Sequence, residues 1–193
     1  MTGHALATPA RRSVEVAIAR AAALRAVSTL IAAAFERSIA GDLDPVGRVA
    51  FRMYVSERSI SARLAGGALG LVARQGGLVV GYAEVQGRKR HLTGRDHLSL
   101  LFVEPDHQRR GIGRALLRDV VRRLALLADR PAQLTVHAAP ASVRAYERMG
   151  FEATGPITLK DGLRYRPMVL RLSSARSRTA VNPPSTTNTP PVA

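Results

Sequence analysis

Gln108-Arg109-Arg110-Gly111-Ile112-Gly113-Arg114 stands between an apolar run ending at Val103 and a stretch where Leu116, Val120, Leu124 and Leu127 recur at helical spacing. A glycine-bearing turn that feeds a helix N-terminus aims several backbone N–H groups at one place, and the helix dipole adds positive potential there. That arrangement suits a phosphate or pyrophosphate. Gly111 and Gly113 would let a ligand reach the backbone without meeting a Cβ. Arg109, Arg110 and Arg114 add mobile positive charge. The Walker string G-x-x-x-x-G-K-[ST] is absent, and the dinucleotide pattern G-x-G-x-x-G/A fails at Leu116.

A second segment, Leu134 to Phe151, reads as a strand, a turn with Pro140, a short helix over Ala141 to Met149, and Gly150 placed to cap it. Its end is Tyr146-Glu147-Arg148-Met149-Gly150-Phe151. Both segments resemble signatures of the GNAT N-acetyltransferase superfamily. The first matches the coenzyme A loop Q/R-x-x-G-x-G/A over Gln108 to Gly113, after a strand ending V-x-P. The second matches the family's Y-E-x-x-G-F. The resemblance extends over roughly Val14 to Leu172 and is specific for superfamily, not for substrate.

What the resemblance implies is an α/β (α+β) acyl-CoA N-acyltransferase fold. Its mixed sheet of about seven strands is splayed between strands 4 and 5 and flanked by four helices. Acetyl-CoA is the implied cosubstrate. Its pyrophosphate would lie on Gln108 to Arg114, and its pantetheine along the backbone of Leu101, Phe102 and Val103, where an N–H would also polarise the acetyl carbonyl. Tyr146 takes the place of the family's general acid for the departing thiolate. A phenol suits that role, its ordinary pKa of ~10 lying near that of a thiol at ~8.5.

The general base has two candidates. His97 lies where some histone-acetylating relatives carry a Glu, and strict alternation would put it on one face with Ser99 and Leu101. Glu84, on the preceding strand, is the rival, with a solvated surface carboxylate as its bland reading. His137 reads as a structural or substrate contact. No His, Asp or Glu spacing suggests a metal ligand set, so no metal is expected.

The elements that must position these residues follow from periodicity. Val14 to Ile18 reads as a strand, and Leu24 to Phe35 as a helix. A second helix is expected from Pro45 through Ile60 to Leu64, stopped by Gly66-Gly67. A hairpin turns at Gln75-Gly76-Gly77. After a basic loop from Gly87 to Gly94 come the strand Asp96 to Val103 and a cradle helix to about Ala128, broken at Asp129-Arg130-Pro131. The second segment and strands near Phe151–Thr154 and Leu163–Leu172 complete the domain, taken as residues 13–173. Residues 1–12 read as a disordered leader, and the Pro/Ser/Thr-rich residues 174–193 as a disordered tail.

Composition narrows the chemistry. The 193 residues contain no cysteine, which excludes disulfides, thiolate metal sites and a cysteinyl acyl-enzyme. No G-x-S-x-G elbow is present either, so acetyl transfer should run directly from thioester to amine. The net charge of +15 invites a nucleic-acid reading. Yet the arginines are scattered and aromatics make up only 4%, too few for a base-stacking platform. No signal-like or membrane-length apolar run occurs, so a cytoplasmic protein is expected, monomer or homodimer.

The expected function is therefore N-acetylation of a primary amine on a small molecule or protein. A non-catalytic coenzyme A sensor is the alternative, and a basic nucleic-acid- or ribosome-associated protein a more distant one. The acceptor pocket should lie between the first two helices, the loop from Ser38 to Asp44 and the segment before the last strand. Glu36, Asp42, Asp44 and Glu57 are available there to meet a cationic amine.

Overall fold

In the computed structural model, residues 13–38, 40–42, 44–87, 96–127, 132–160 and 162–172 are described. The expected leader and tail, most of the basic loop and the Asp129-Arg130-Pro131 break lie outside them. In chain order the elements are β1 Val14–Ile18, α1 Leu24–Ser38, α2 Pro45–Tyr54, α3 Glu57–Ala65, β2 Leu69–Gln75, β3 Leu78–Gln86 and β4 Asp96–Val103. Then follow α4 Ile112–Leu124, β5 Gln133–Ala138, α5 Val143–Arg148, β6 Glu152–Ala153, β7 Thr158–Lys160 and β8 Leu163–Arg171. The strands align in the order β1-β2-β3-β4-β5-β8-β6, with β7 paired to β8. Every pairing is antiparallel except β4 with β5.

This is the open, mixed α/β sheet expected from the sequence, with three refinements. The single helix expected over Pro45 to Leu64 is two. It breaks at Val55, and the Ser56 side chain accepts a hydrogen bond from the Ser59 N–H to cap α3. The short strand β7 was not foreseen, and α4 ends at Leu124, so Leu127 falls beyond it and is exposed.

Two apolar layers hold the sheet. On one face α1 and α3 bury Val27, Ile31 and Ile60 against Val72, Tyr82 and Leu100. On the other, α4 and α5 bury Leu116, Val120 and Tyr146 against Ala83, Leu98, Leu134 and Val136. Gly81 lets α4 sit close on β3: a Cβ there would lie 3.0 Å from both Ile112 Cγ2 and Leu116 Cδ1. That close seat fixes where the N-terminus of α4 points. The Phe35 and Phe51 rings stack at 4.0 Å between centroids and tie α2 to α1.

Candidate active site

β4 is the strand on which the site is built. It pairs with β3 along its whole length, from His97 opposite Gln86 to Val103 opposite Gly81. With β5 it pairs only through Asp96, His97 and Leu98, opposite Leu134, Thr135 and Val136. Beyond Leu98 the two parallel strands diverge. The backbone of Ser99 to Val103 therefore turns an edge toward β5 that β5 does not bond. Such an edge can bond the amides of a pantetheine chain by strand-like pairing.

The divergence coincides with a β-bulge. Val85 faces Leu98 and Glu84 faces Leu100, leaving Ser99 as an extra residue. The bulge inverts the alternation of side chains. Leu98 packs on the α4 face, Leu100 on the α1 face, and Leu101 and Val103 again on the α4 face. The expectation that His97 shares a face with Leu101 is thereby corrected. His97 lies with Leu100 and Phe102 on the α1 and α3 face, because strict alternation does not survive an inserted residue.

At the end of β4 a 3-10 turn, Pro105–His107, leads into the cradle. Glu104 accepts from the Asp106 N–H at 2.8 Å and lies 3.0 Å from His107 Nδ1, and the Gln108 side chain donates to Val103 O at 3.2 Å. Arg109 then adopts φ 58° and Gly111 φ 84°. A non-glycine residue held at positive φ is uncommon and marks a loop whose shape is set by more than local preference. Gly111 is the N-cap of α4 and brings no side-chain cap. The first intrahelical bond runs from the Ala115 N–H to Gly111 O, so the amides of Ile112, Gly113 and Arg114 point off the end of the helix. A Cβ built on Gly111 meets no protein atom within 4 Å, and one on Gly113 meets only Val103 Cγ2 at 3.7 Å. Protein packing does not require glycine at position 113. The space beside these amides is open to a ligand. Arg109 and Arg110 are exposed beside the cradle. The Arg114 guanidinium is turned away to Arg148 O at the end of α5, so its backbone N–H, more than its charge, serves the cradle.

The α1 and α3 face of the divergence carries a polar cluster. Glu84 is fully buried, so its bland reading as a solvated carboxylate is wrong. It accepts from Arg63 Nε at 2.5 Å and Arg63 Nη2 at 3.1 Å, from the Tyr82 hydroxyl at 2.9 Å and from Ser99 Oγ at 3.3 Å. A buried carboxylate so engaged is a structural partner more than a proton acceptor. Arg63 also donates to Tyr54 O and lies over the Tyr54 ring, while Gln86 donates to the Tyr54 hydroxyl at 2.8 Å. Burial raises the Tyr54 pKa, with a smaller push from Glu84 against the opposing charge of Arg63.

His97 is buried in the same region. Its Nδ1 lies 2.9 Å from Thr135 Oγ1, and its ring meets His137 edge-on at 4.7 Å. His137 in turn stacks on Tyr165 of β8 at 4.0 Å. Of the acidic residues expected to greet an amine, Glu36 pairs with Arg52 and Asp44 caps α2 by accepting from the Gly47 N–H at 2.6 Å. Phe102, Phe51 and Leu163 pack together beside them, so the aromatic wall joins the region between α1, α2 and the β7–β8 hairpin.

Tyr146 lies on the opposite face, in α5, edge-on to Phe151 at 5.3 Å. Burial alone raises its phenol pKa well above the usual value, so the proton is present at any working pH. A raised phenol pKa would count against proton donation if the acceptor thiolate stayed in water. A thiolate in the same apolar layer is raised by the same desolvation, which narrows the gap.

Sequence reasoning did not single out Arg63, Tyr54, Thr135 or Tyr165. Arg63 and Tyr54 sat in what read as one uninterrupted helix, and Thr135 becomes a neighbour of His97 only through the β4–β5 register. Among the described residues no cluster of three or more His, Asp or Glu could hold a metal ion.

An open mixed sheet parted between β4 and β5, with the N-terminus of α4 following the parted strand, is the GNAT architecture expected from the sequence. Residues 39–172, well over half the chain, match the family model for the acetyltransferase (GNAT) domain, and the chain belongs to that family. Over 90 residues it is 37% identical to the mycothiol acetyltransferase of Parafrankia sp., a match covering 45% of this chain and 25% of that protein. The chain thus spans about a quarter of that relative's length. Among solved structures, a GCN5-related N-acetyltransferase from Rhodopseudomonas palustris superposes with a TM-score of 0.67 at 25% identity, over 88% of this chain and all of that one. The PaiA N-acetyltransferase of Thermoplasma acidophilum, in complex with coenzyme A, superposes at 0.63 and 16% identity, over 82% and 99% of the chains. YncA of Salmonella typhimurium, solved with acetyl-CoA, does so at 0.59 and 23%, over 87% and 99%.

Proposed function

We propose that this chain transfers an acetyl group from acetyl-CoA directly to a primary amine of a small molecule or protein. The observation that carries the proposal is the β4 edge, released from β5 after Leu98 and leading to the α4 amide cradle. Acetyl-CoA supplies the activated thioester. The Gly111 to Arg114 backbone holds its pyrophosphate, with Arg109 and Arg110 adding charge. Leu101, Phe102 and Val103 offer backbone groups to the pantetheine amides, and one N–H of this edge polarises the thioester carbonyl. The amine enters from the face of α1, α2 and the β7–β8 hairpin.

His97 is the general base in this reading, and Glu84 its structural support. The reason is geometric: Glu84 oxygens already accept four hydrogen bonds, two from a guanidinium. As the tetrahedral adduct collapses, the C–S bond breaks and Tyr146 supplies the proton to the thiolate. Among the described residues no helix is long and apolar enough to cross a membrane, and we place the enzyme in the cytoplasm. The test is thermal stabilisation by coenzyme A followed by thiol release with a panel of amines. Stabilisation without release from any amine would leave a coenzyme sensor; absence of stabilisation would overturn the site itself.

A further inference from the structure

Phe102 holds two places at once. Its backbone belongs to the β4 edge that β5 leaves unbonded, and its ring packs on the α1 face of the sheet. A thioester held on that edge is therefore bordered, on the side from which the amine enters, by a phenyl ring. The ring lies 6.0 Å from that of Phe51 in α2, tilted by 53°, and Phe51 stacks in turn on Phe35. Leu163, at the start of β8, packs into the same group. Phe35 is fully buried, whereas Phe51, Phe102 and Leu163 keep part of their surface uncovered. The carboxylates described around this wall are engaged elsewhere. Glu36 accepts from both Nε and Nη2 of Arg52, Asp44 caps α2, and Glu84 is held by Arg63. Glu57 stands exposed in the first turn of α3, at the positive end of that helix. We infer that the acceptor is a small apolar monoamine, an alkyl or arylalkyl amine whose hydrocarbon body lies against Phe51, Phe102 and Leu163.

The inference rests on the transfer reading and names its substrate class. An amine attacks only when neutral, and apolar surroundings disfavour its ammonium form. The acceptor sheds one proton to solvent on entering the site. It gives a second to the base as its nitrogen bonds to the acetyl carbon and the C–S bond breaks. A further ammonium on the same molecule would lose its hydration against the wall, with Glu36 and Asp44 already held. A cation–π cage would need open ring faces, and one face of Phe51 is covered by the stacked Phe35. A peptide acceptor would bring backbone amides, which rings and a leucine side chain cannot pair. Each methylene of a monoamine, by contrast, gains free energy by leaving water for this wall.

The experiment is thiol release from acetyl-CoA by the full chain, with rates referred to the neutral form of each amine. The acceptors are n-alkylamines from ethyl to hexyl, 2-phenylethylamine, and the α,ω-diamines of matching length. For the monoamines kcat/KM should climb about 4-fold per methylene, the share that a buried CH2 supplies. Each diamine should fall about 10-fold or more below the monoamine of its length. Phe51→Ala should flatten the climb and raise KM for 2-phenylethylamine about 10-fold, with the affinity for acetyl-CoA unchanged. Phe51→Leu should keep most of the climb. A flat series in the wild type, a diamine as good as its monoamine, or a peptide with N-terminal phenylalanine outrunning 2-phenylethylamine would overturn the inference. So would an unaltered climb in a folded Phe51→Ala protein. Stabilisation by coenzyme A with no release from any amine would instead refute the transfer reading beneath it. If Phe51→Ala does not fold, the wild-type series and the diamine comparison decide.

Discussion

Gly113→Asp should separate folding from coenzyme binding, moving the two in opposite senses. Gly113 is the second residue of α4, and a side chain there meets only Val103 Cγ2 at an ordinary 3.7 Å. Replacing a helical glycine is worth a few tenths of a kcal/mol for Asp. A carboxylate in the first turn gains about 0.3–1 kcal/mol from the helix dipole. Stability should thus hold or rise by up to about 1 kcal/mol. Binding should collapse, since the carboxylate lies where the pyrophosphate would sit on the Ile112, Gly113 and Arg114 amides. At ~4 Å and an effective dielectric of ~20, one pair of like charges costs about 4 kcal/mol. Even with screening by salt halving that, the loss is on the order of 30-fold to 1000-fold in Kd. Calorimetric titration with coenzyme A measures the second quantity and ligand-free melting the first, with Gly113→Ala separating bulk from charge. A folded Gly113→Asp protein of wild-type affinity would refute the cradle. A steep fall in ligand-free stability would refute the claim that packing leaves position 113 open.

Tyr146→Phe keeps the ring against Phe151 and removes the acid, so single-turnover thiol release should fall about 10²- to 10⁴-fold with little change in acetyl-CoA affinity. Because the folded phenol has the higher pKa, its stabilising contribution is complete below pH ~10 and is lost as pH rises further. Melting scans of wild type and Tyr146→Phe should accordingly diverge only above pH ~10. Arg63→Met strands the buried Glu84 charge and should cost about 3–5 kcal/mol in denaturant titrations, a loss that adding Glu84→Gln should partly reverse. Asp119 on α4 accepts from Arg122 and from Arg123 at 2.7 Å. Burial opposes its ionisation, but those two arginines outweigh it and lower its pKa. Its contribution is present above the unfolded value of ~3.9 and lost as pH falls below it. Asp119→Asn should therefore be destabilised by about 1 kcal/mol at pH 7 and match wild type near pH 2.

The cradle was legible because its signal is local. Gly111 and Gly113 in a strand–turn–helix link specify a backbone shape within a few residues, and the structure shows that shape. The helices of the α1 face were legible from apolar spacing, yet the break at Val55 was not. Val49, Met53, Ile60 and Leu64 keep a helical rhythm across it, and only Ser56 hints at a new N-cap. The partners of Glu84 and His97 were hidden for another reason. Arg63 lies 21 residues before Glu84 and Thr135 38 after His97, and sequence alone gives no register across such separations.

Register is also why Ser99 escaped notice. Leu98-Ser99-Leu100-Leu101-Phe102-Val103 is apolar on both faces, as strands covered by helices on each side are, so its pattern carries no alternation from which to read a slip. The two cores require one all the same. Leu98 is needed against Leu134 and Val136 under α4, and Leu100 against Val27 and Ile31 under α1. Two residues apart on a regular strand, they would face the same way. The inserted Ser99 resolves the conflict, and its hydroxyl is held at 3.1 Å from Glu84 O and 3.3 Å from Glu84 Oε1. The same irregularity stands where β4 stops pairing with β5. One bulge, anchored to the buried Arg63–Glu84 pair, thus accompanies both the β4 edge that β5 leaves unbonded and the face on which His97 lies. The packing of the two cores and the geometry of the candidate site are consequences of a single register choice.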